Sequence, residues 1–112
     1  MNIDSLKVVD NPNAKKDKKR LIAIFTFNNN DKIKKIKFGY YGSKGTFADG
    51  ASTQKRDNYI KRHKKRENWE NILTAGALSR YILWQGRTNT GIQDFIKNKF
   101  KINNVTVNFK RY

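Results

Sequence analysis

The residues of this chain best suited to chemistry are cations, and they are clustered. Lys55-Arg56 and Lys61-Arg62-His63-Lys64-Lys65-Arg66 place seven Lys or Arg side chains within twelve positions. At helical spacing Lys55, Arg62 and Arg66 fall roughly on one side, while Tyr59, Ile60 and His63 face inward. Cations at that density suit a phosphate backbone, where each neutralised phosphate releases condensed counterions. The competing reading is a solvated helix face, which most charge runs are. It calls for acids about one turn away, and only Asp57 and Glu67 are near. Lys32, Lys34, Lys35 and Lys37, with the run Lys15–Arg20, either extend the same surface or guard a sheet edge against aggregation. Arg80 and Arg87 either reach phosphate or pair with Glu67, Glu70 or Asp94. Tyr40, Tyr41 and Phe47 are either platforms for unpaired bases or ordinary core and rim. The expected nucleic-acid-binding set is Lys55, Arg56, Lys61, Arg62, Lys64, Lys65, Arg66, Lys35, Lys37 and Arg80.

Other chemistries find little support. With one histidine and no cysteine, neither a His pair nor a thiolate zinc site fits within one chain, so no metal or cofactor is expected. His63 beside Arg62 has the look of a general base, but a ring packed within the helical segment is the plainer expectation. A metal-dependent nuclease needs carboxylates converging on a cation. The nine acids are scattered, and Glu67 and Glu70 form the one close pair. Phe38-Gly39-Tyr40-Tyr41-Gly42 superficially resembles the GIY-YIG nuclease motif, whose two halves should stand apart. Gly42-Ser43-Lys44-Gly45 lacks the residue order of a Walker A loop. The chain is expected not to be an enzyme.

The overall charge points the same way. Twenty-five Lys and Arg oppose nine Asp and Glu, a formal net charge of +16 on 112 residues. Such a field attracts polyanions: nucleic acid, an anionic membrane surface or an acidic protein. Residues 15 to 66 hold 17 of the cations beside only Asp17, Asp31, Asp49 and Asp57. Fourteen asparagines and many lysines also fit an AT-rich genome, which explains the lysine excess in part but not its clustering. No apolar stretch approaches the roughly 20 residues that span a bilayer, and Met1-Asn2-Ile3-Asp4 opens no signal-peptide pattern. The chain is expected to be soluble and not exported.

The elements that must position these residues fit one domain over 1–112. Leu6–Val9 reads as a strand, Asn11–Ala14 as a turn, Lys15–Arg20 as a solvated loop and Leu21–Phe27 as a central strand. Asn28–Asp31 supplies turn chemistry. Ile33–Tyr41 then returns, with Ile36, Phe38 and Tyr40 on one face and Lys35 and Lys37 on the other, completing a hairpin. Glycines 39, 42, 45 and 50 mark an irregular loop. Lys55–Arg66 reads as a helix. Trp69, Ile72 and Leu73 continue a helical stripe that Thr74-Ala75-Gly76 interrupts. Leu78, Tyr81 and Ile82 suggest a short helix closed by Gln85-Gly86, and Thr90-Gly91-Ile92-Gln93 has capping-box form ahead of Phe95, Ile96 and Phe100. Val105, Val107 and Phe109 alternate as a last strand. The expected fold class is α+β: a small antiparallel sheet formed by N- and C-terminal strands, with a helical insert of about three helices packed on one face.

Residues 38 to 100 also carry an ordered set of motifs: Phe38-Gly39, Tyr59-Ile60-x-Arg62-His63, Glu67-x-Trp69, Thr74-Ala75-Gly76, Ser79-Arg80, Leu83-Trp84 and Thr88. This pattern resembles a family of short basic proteins encoded by nucleocytoplasmic large DNA viruses, the phycodnavirus and mimivirus group. The resemblance implies a viral setting rather than a particular reaction. Where relatives place Asp, Thr, His and Asp ahead of the Tyr-Ile-x-Arg-His motif, this chain has Thr46, Ala48, Gly50 and Ser52. That departure favours binding over catalysis. The expected role is sequence-independent binding of nucleic acid, double-stranded DNA, for condensation or packaging in the virion. The alternative is a minor capsid or core component docking on acidic protein, other virion proteins among them, or on the inner membrane surface. A host-directed factor absent from particles is a third reading. The expected location is the virion or the cytoplasmic virus factory of the infected cell.

Overall fold

Apolar alternation near the N-terminus produces strands that run past their apolar centres. The computed structural model describes residues 2–28, 30–42 and 45–111. Asn29 of the expected turn, and Ser43 and Lys44 of the glycine-rich loop, lie outside the described residues. β1 (Ile3–Asp10), β2 (Lys19–Phe27) and β3 (Asn30–Tyr40) form an antiparallel meander. β4 (Asn104–Asn108) joins on the far side of β1, giving the order β3-β2-β1-β4.

The β1–β4 pairing is parallel, with Leu6 opposite Val105 and Val8 opposite Val107. The sheet is therefore mixed, which corrects the antiparallel expectation. Alternation in a single strand carries no directional signal. A parallel neighbour needs a long crossover rather than a tight turn, and the segment between β3 and β4 supplies it. That segment holds a 3₁₀ turn (Phe47–Asp49), α2 (Thr53–His63), α3 (Ala75–Leu78) running into a π-helical turn (Ser79–Leu83), and α4 (Asn89–Phe100). A four-residue α1 (Ala14–Asp17) lies between β1 and β2. The α+β class stands. None of the described helices is long and apolar enough to cross a membrane.

Register sorts the sheet into two faces. Leu6 and Val8, Leu21, Ala23 and Phe25, Phe38, and Val105 and Val107 share one face. They belong to the same buried cluster as Ile72, Leu78, Ile82, Ile92 and Ile96. Lys7, Ile22 and Ile24, Lys35 and Lys37, and Thr106 and Asn108 project from the other face.

Three local expectations change. The Lys15–Arg20 run is not a solvated loop: α1 occupies its start, β2 begins at Lys19, and Arg20 is buried. Residues 69–73 form no helix, because Asn68 and Asn71 accept bonds from the backbone N–H groups of Glu70 and Leu73. Such local side-chain bonds compete directly with helix formation. The cap of α4 is Thr88, whose Oγ1 accepts from Gly91 N at 3.0 Å, rather than a box at Thr90. Gln93 Oε1 instead accepts from Val107 N at 3.1 Å and ties α4 to β4.

Candidate nucleic-acid interface

The basic helix is held in place by other cations. Of the seven arginines in the sequence, Arg20, Arg56, Arg80, Arg87 and Arg111 all donate to backbone carbonyls. Four of them converge on residues 46–51, the segment that leads into α2. Arg87 donates to Phe47 O at 3.1 Å and Ala51 O at 2.9 Å, and Arg111 donates to Ala48 O at 3.2 Å. Arg20 grips Asp49 with two parallel bonds of 2.6 and 2.8 Å. Arg56 and Arg87 both lie over the Phe47 ring. Ser52 then caps α2 by accepting from Lys55 N at 3.1 Å. The planar, multiply donating guanidinium is suited to such carbonyl cross-ties, whereas the hydrated lysine ammonium is not.

This arrangement divides the expected binding set. Lys55, Lys61, Arg62, Lys64, Lys65 and Arg66 are exposed. Arg56 and Arg80 are turned inward. Arg56 donates to Trp84 O at 3.0 Å, and Arg80 donates to Trp84 O and to Gln85 Oε1 while lying over Trp69 and Tyr81. Burial lowers the Arg80 pKa, with the neighbouring charge of Arg56 adding to the effect. Neither Arg80 nor Arg87 pairs with Glu67, Glu70 or Asp94, since both find carbonyls closer. Lys35 and Lys37 project from the sheet face opposite Phe38, so the structure does not bring them onto one surface with α2. Lys37 also pairs with Asp17 at 2.7 Å, and that hydrogen bond, followed by one from Asn11, lowers the Asp17 pKa. Sequence reasoning missed the carbonyl-bound arginines. The available signal was the chemical difference between Arg and Lys within the charge runs.

α2 ends at His63, so Lys64, Lys65 and Arg66 follow the helix rather than continue it. The cations from Lys61 to Arg66 form no ion pair among the described residues, apart from His63 Nδ1 facing Glu67 Oε2 at 3.7 Å. Asp57, one turn before Lys61, does not engage it. Arg62, His63 and Arg66 border a surface cavity of about 330 Å³.

Beside this segment lies a second cleft, of about 280 Å³, between the end of β3 and the inner side of α2. Phe38, Gly39 and Tyr40 form one wall, and Tyr59, His63 and Ser79 line the other. Gly39 has φ +80°, and a Cβ there would approach Leu83 Cδ1 to 3.1 Å. Its lack of a side chain lets β3 close on the π-helical turn. The Tyr59 ring is sandwiched between His63 at 4.3 Å and Trp84 at 4.2 Å, centroid to centroid. His63 thus stacks within the helical segment, as expected, with its side chain still 41% exposed. Phe47 is buried beneath arginines and is not a platform, whereas Tyr40 and Tyr41 are exposed. Glu67 and Glu70 turn to different partners, His63 and Lys99. Among the described residues, no three His, Asp or Glu side chains gather as a metal-binding group.

Burial raises the Tyr59 phenol from 10.0 to about 12, and the Glu67 carboxylate adds to the rise. In the folded protein the proton is therefore held more tightly than in the unfolded chain. The stability gained is fully present below pH 10 and is lost as pH rises from 10 to about 12. Urea titrations across that window should show a loss of up to about 2 kcal/mol that Tyr59→Phe lacks. Identical pH profiles for the two proteins would refute this assignment.

Comparison with protein-family models, curated proteins and solved structures finds no match to the chain.

Proposed function

We propose that the protein is a non-enzymatic nucleic-acid-binding protein that engages the phosphate backbone with little sequence preference. Lys61, Arg62, Lys64, Lys65 and Arg66 carry the binding, with Lys55 at the other end of α2. One observation supports this reading above the rest: five cations within six positions are all exposed, and none is ion-paired among the described residues. A protein with a net charge of +16 that leaves them unneutralised bears a standing cost in self-repulsion. A polyanionic partner removes that cost. In the viral setting that the motif resemblance implies, the polyanion is genomic double-stranded DNA, and binding serves condensation or packaging in the virion.

Titrating the protein into labelled duplex DNA, single-stranded DNA and acidic-lipid vesicles at several salt concentrations tests the reading. Five neutralised phosphates give a log–log salt slope of about −4.5, hence a loss of about 500-fold in duplex affinity between about 50 and about 200 mM salt. A duplex slope shallower than about −2 would overturn the proposal. So would vesicle binding tighter than DNA binding, which would turn attention to the inner membrane surface of the virion.

A further inference from the structure

The cleft beside α2 contains one group that does not belong in a phosphate site. Glu67 Oε2 accepts the indole N–H of Trp69 at 2.8 Å and faces His63 Nδ1 at 3.7 Å. Oε1 lies so close over Gly76 that a Cβ there would come within 2.9 Å of it. A carboxylate fixed in this way repels phosphate and accepts from N–H donors. Around it, Phe38 and Tyr59 are buried wall residues, and Tyr40 stands 71% exposed beside them. An exposed tyrosine ring beside a fixed acceptor matches a flat ring whose edge carries N–H groups. At about 280 Å³ the cleft falls just below the range for drug-sized ligands, which is room for one ring system and its immediate attachments. His63 lines this cleft and also the cavity bordered by Arg62 and Arg66. A strand whose phosphates rest on those arginines therefore passes the mouth of the cleft.

We propose that the cleft takes one unpaired nucleobase from the bound strand, stacked on Tyr40 and hydrogen-bonded through its N–H edge to Glu67. The proposal rests on the phosphate-binding reading above and adds a base-reading site to it. Guanine fits best, because its adjacent ring and amino N–H groups address Oε1 and the lone pair of Oε2 that Trp69 leaves unused. Cytosine and adenine offer an amino group alone, and thymine a single ring N–H. Stacking supplies binding to any base, and the carboxylate supplies the preference.

The test compares three probes on the full chain: a duplex, a short all-thymidine strand, and the same strand with one central guanine. A ribose version of each strand shows whether the sugar matters. The guanine strand should bind about tenfold more tightly than the thymidine strand. Glu67→Gln should raise affinity for the duplex and the thymidine strand by no more than about fivefold, through its lost negative charge, while abolishing the guanine preference, so that the guanine strand binds at least about twofold more weakly than to the unaltered protein. Tyr40→Ala, at an exposed position, should weaken single-strand binding about tenfold and leave duplex binding unchanged. If Glu67→Gln fails to fold, the wild-type base comparison and Tyr40→Ala decide. Tight duplex binding with no guanine preference, or with no effect of Tyr40→Ala, overturns the cleft proposal alone. Weak binding to every probe overturns the phosphate-binding reading with it.

Discussion

Reversing Arg62, Lys65 and Arg66 to Glu together should weaken duplex binding at least about 100-fold at about 0.15 M salt. At that concentration each released counterion is worth about fivefold in affinity, so loss of three contacts alone costs about 125-fold. Three added carboxylates facing phosphate push it further. The log–log salt slope should fall from about −4.5 to about −2, a change that simple damage to the fold would not produce. The fold should survive, because the three side chains are exposed and make no ion pair among the described residues. Exposed substitutions of this kind usually change stability by less than about 0.5 kcal/mol each. Relief of self-repulsion on a chain of net charge +16 works in the same direction. The necessary control is Lys7, Lys97 and Lys101→Glu, which removes the same charge elsewhere on the exposed surface. Equal losses from the two triple variants would mean that total charge binds DNA and that the segment after α2 has no special part.

The site was legible in the sequence where charge density alone decides. A run such as Lys61–Arg66 with two acids nearby cannot neutralise itself locally, whatever the fold, and its residues are indeed exposed. Arg56 and Arg80 were misplaced because their partners are carbonyls of residues 28 and 4 positions away, and a carbonyl leaves no mark in a sequence. Lys35 and Lys37 show the opposite limit. Alternation correctly put them across the strand from Phe38, but which sheet face α2 shares depends on the crossover. The parallel pairing of β4 was hidden for the same reason, as alternation of Val105 and Val107 is identical for either direction. Residues 69–73 have helical apolar spacing, yet Asn68 and Asn71 bond the backbone first.

The least legible contact was the most tightly held one, and breaking it should have the largest effect on stability. Arg20 stands at the end of a six-residue charged run, yet its side chain is 3% exposed and that of Asp49 only 1%. Besides the two-pronged grip on Asp49, Arg20 donates to Lys110 O at 2.9 Å, and Thr46 Oγ1 donates to Asp49 Oδ2 at 2.6 Å. One ion pair thus joins β2, the segment before α2 and the C-terminal chain. Removing one member leaves the other charge buried without its ion-pair partner, which typically costs about 3–5 kcal/mol. A domain of this size has only about 5–15 kcal/mol to lose. Asp49→Asn or Arg20→Met should therefore lower Tm by about 12–20 °C. The pair itself need not stabilise the fold relative to an apolar replacement, because desolvating both charges offsets much of their attraction. Arg20→Met combined with Asp49→Leu should consequently be more stable than either single variant, giving a coupling energy of about 2–3 kcal/mol in the double-mutant cycle. The segment at residues 46–51 sets the start of α2, so the single variants should also loosen the basic helix. Amide exchange of α2 should then rise together with duplex dissociation at temperatures where the sheet is still folded. Additive costs in the cycle, or singles that lose less than about 1 kcal/mol, would show that the pair is a local surface contact and that α2 is positioned by packing alone.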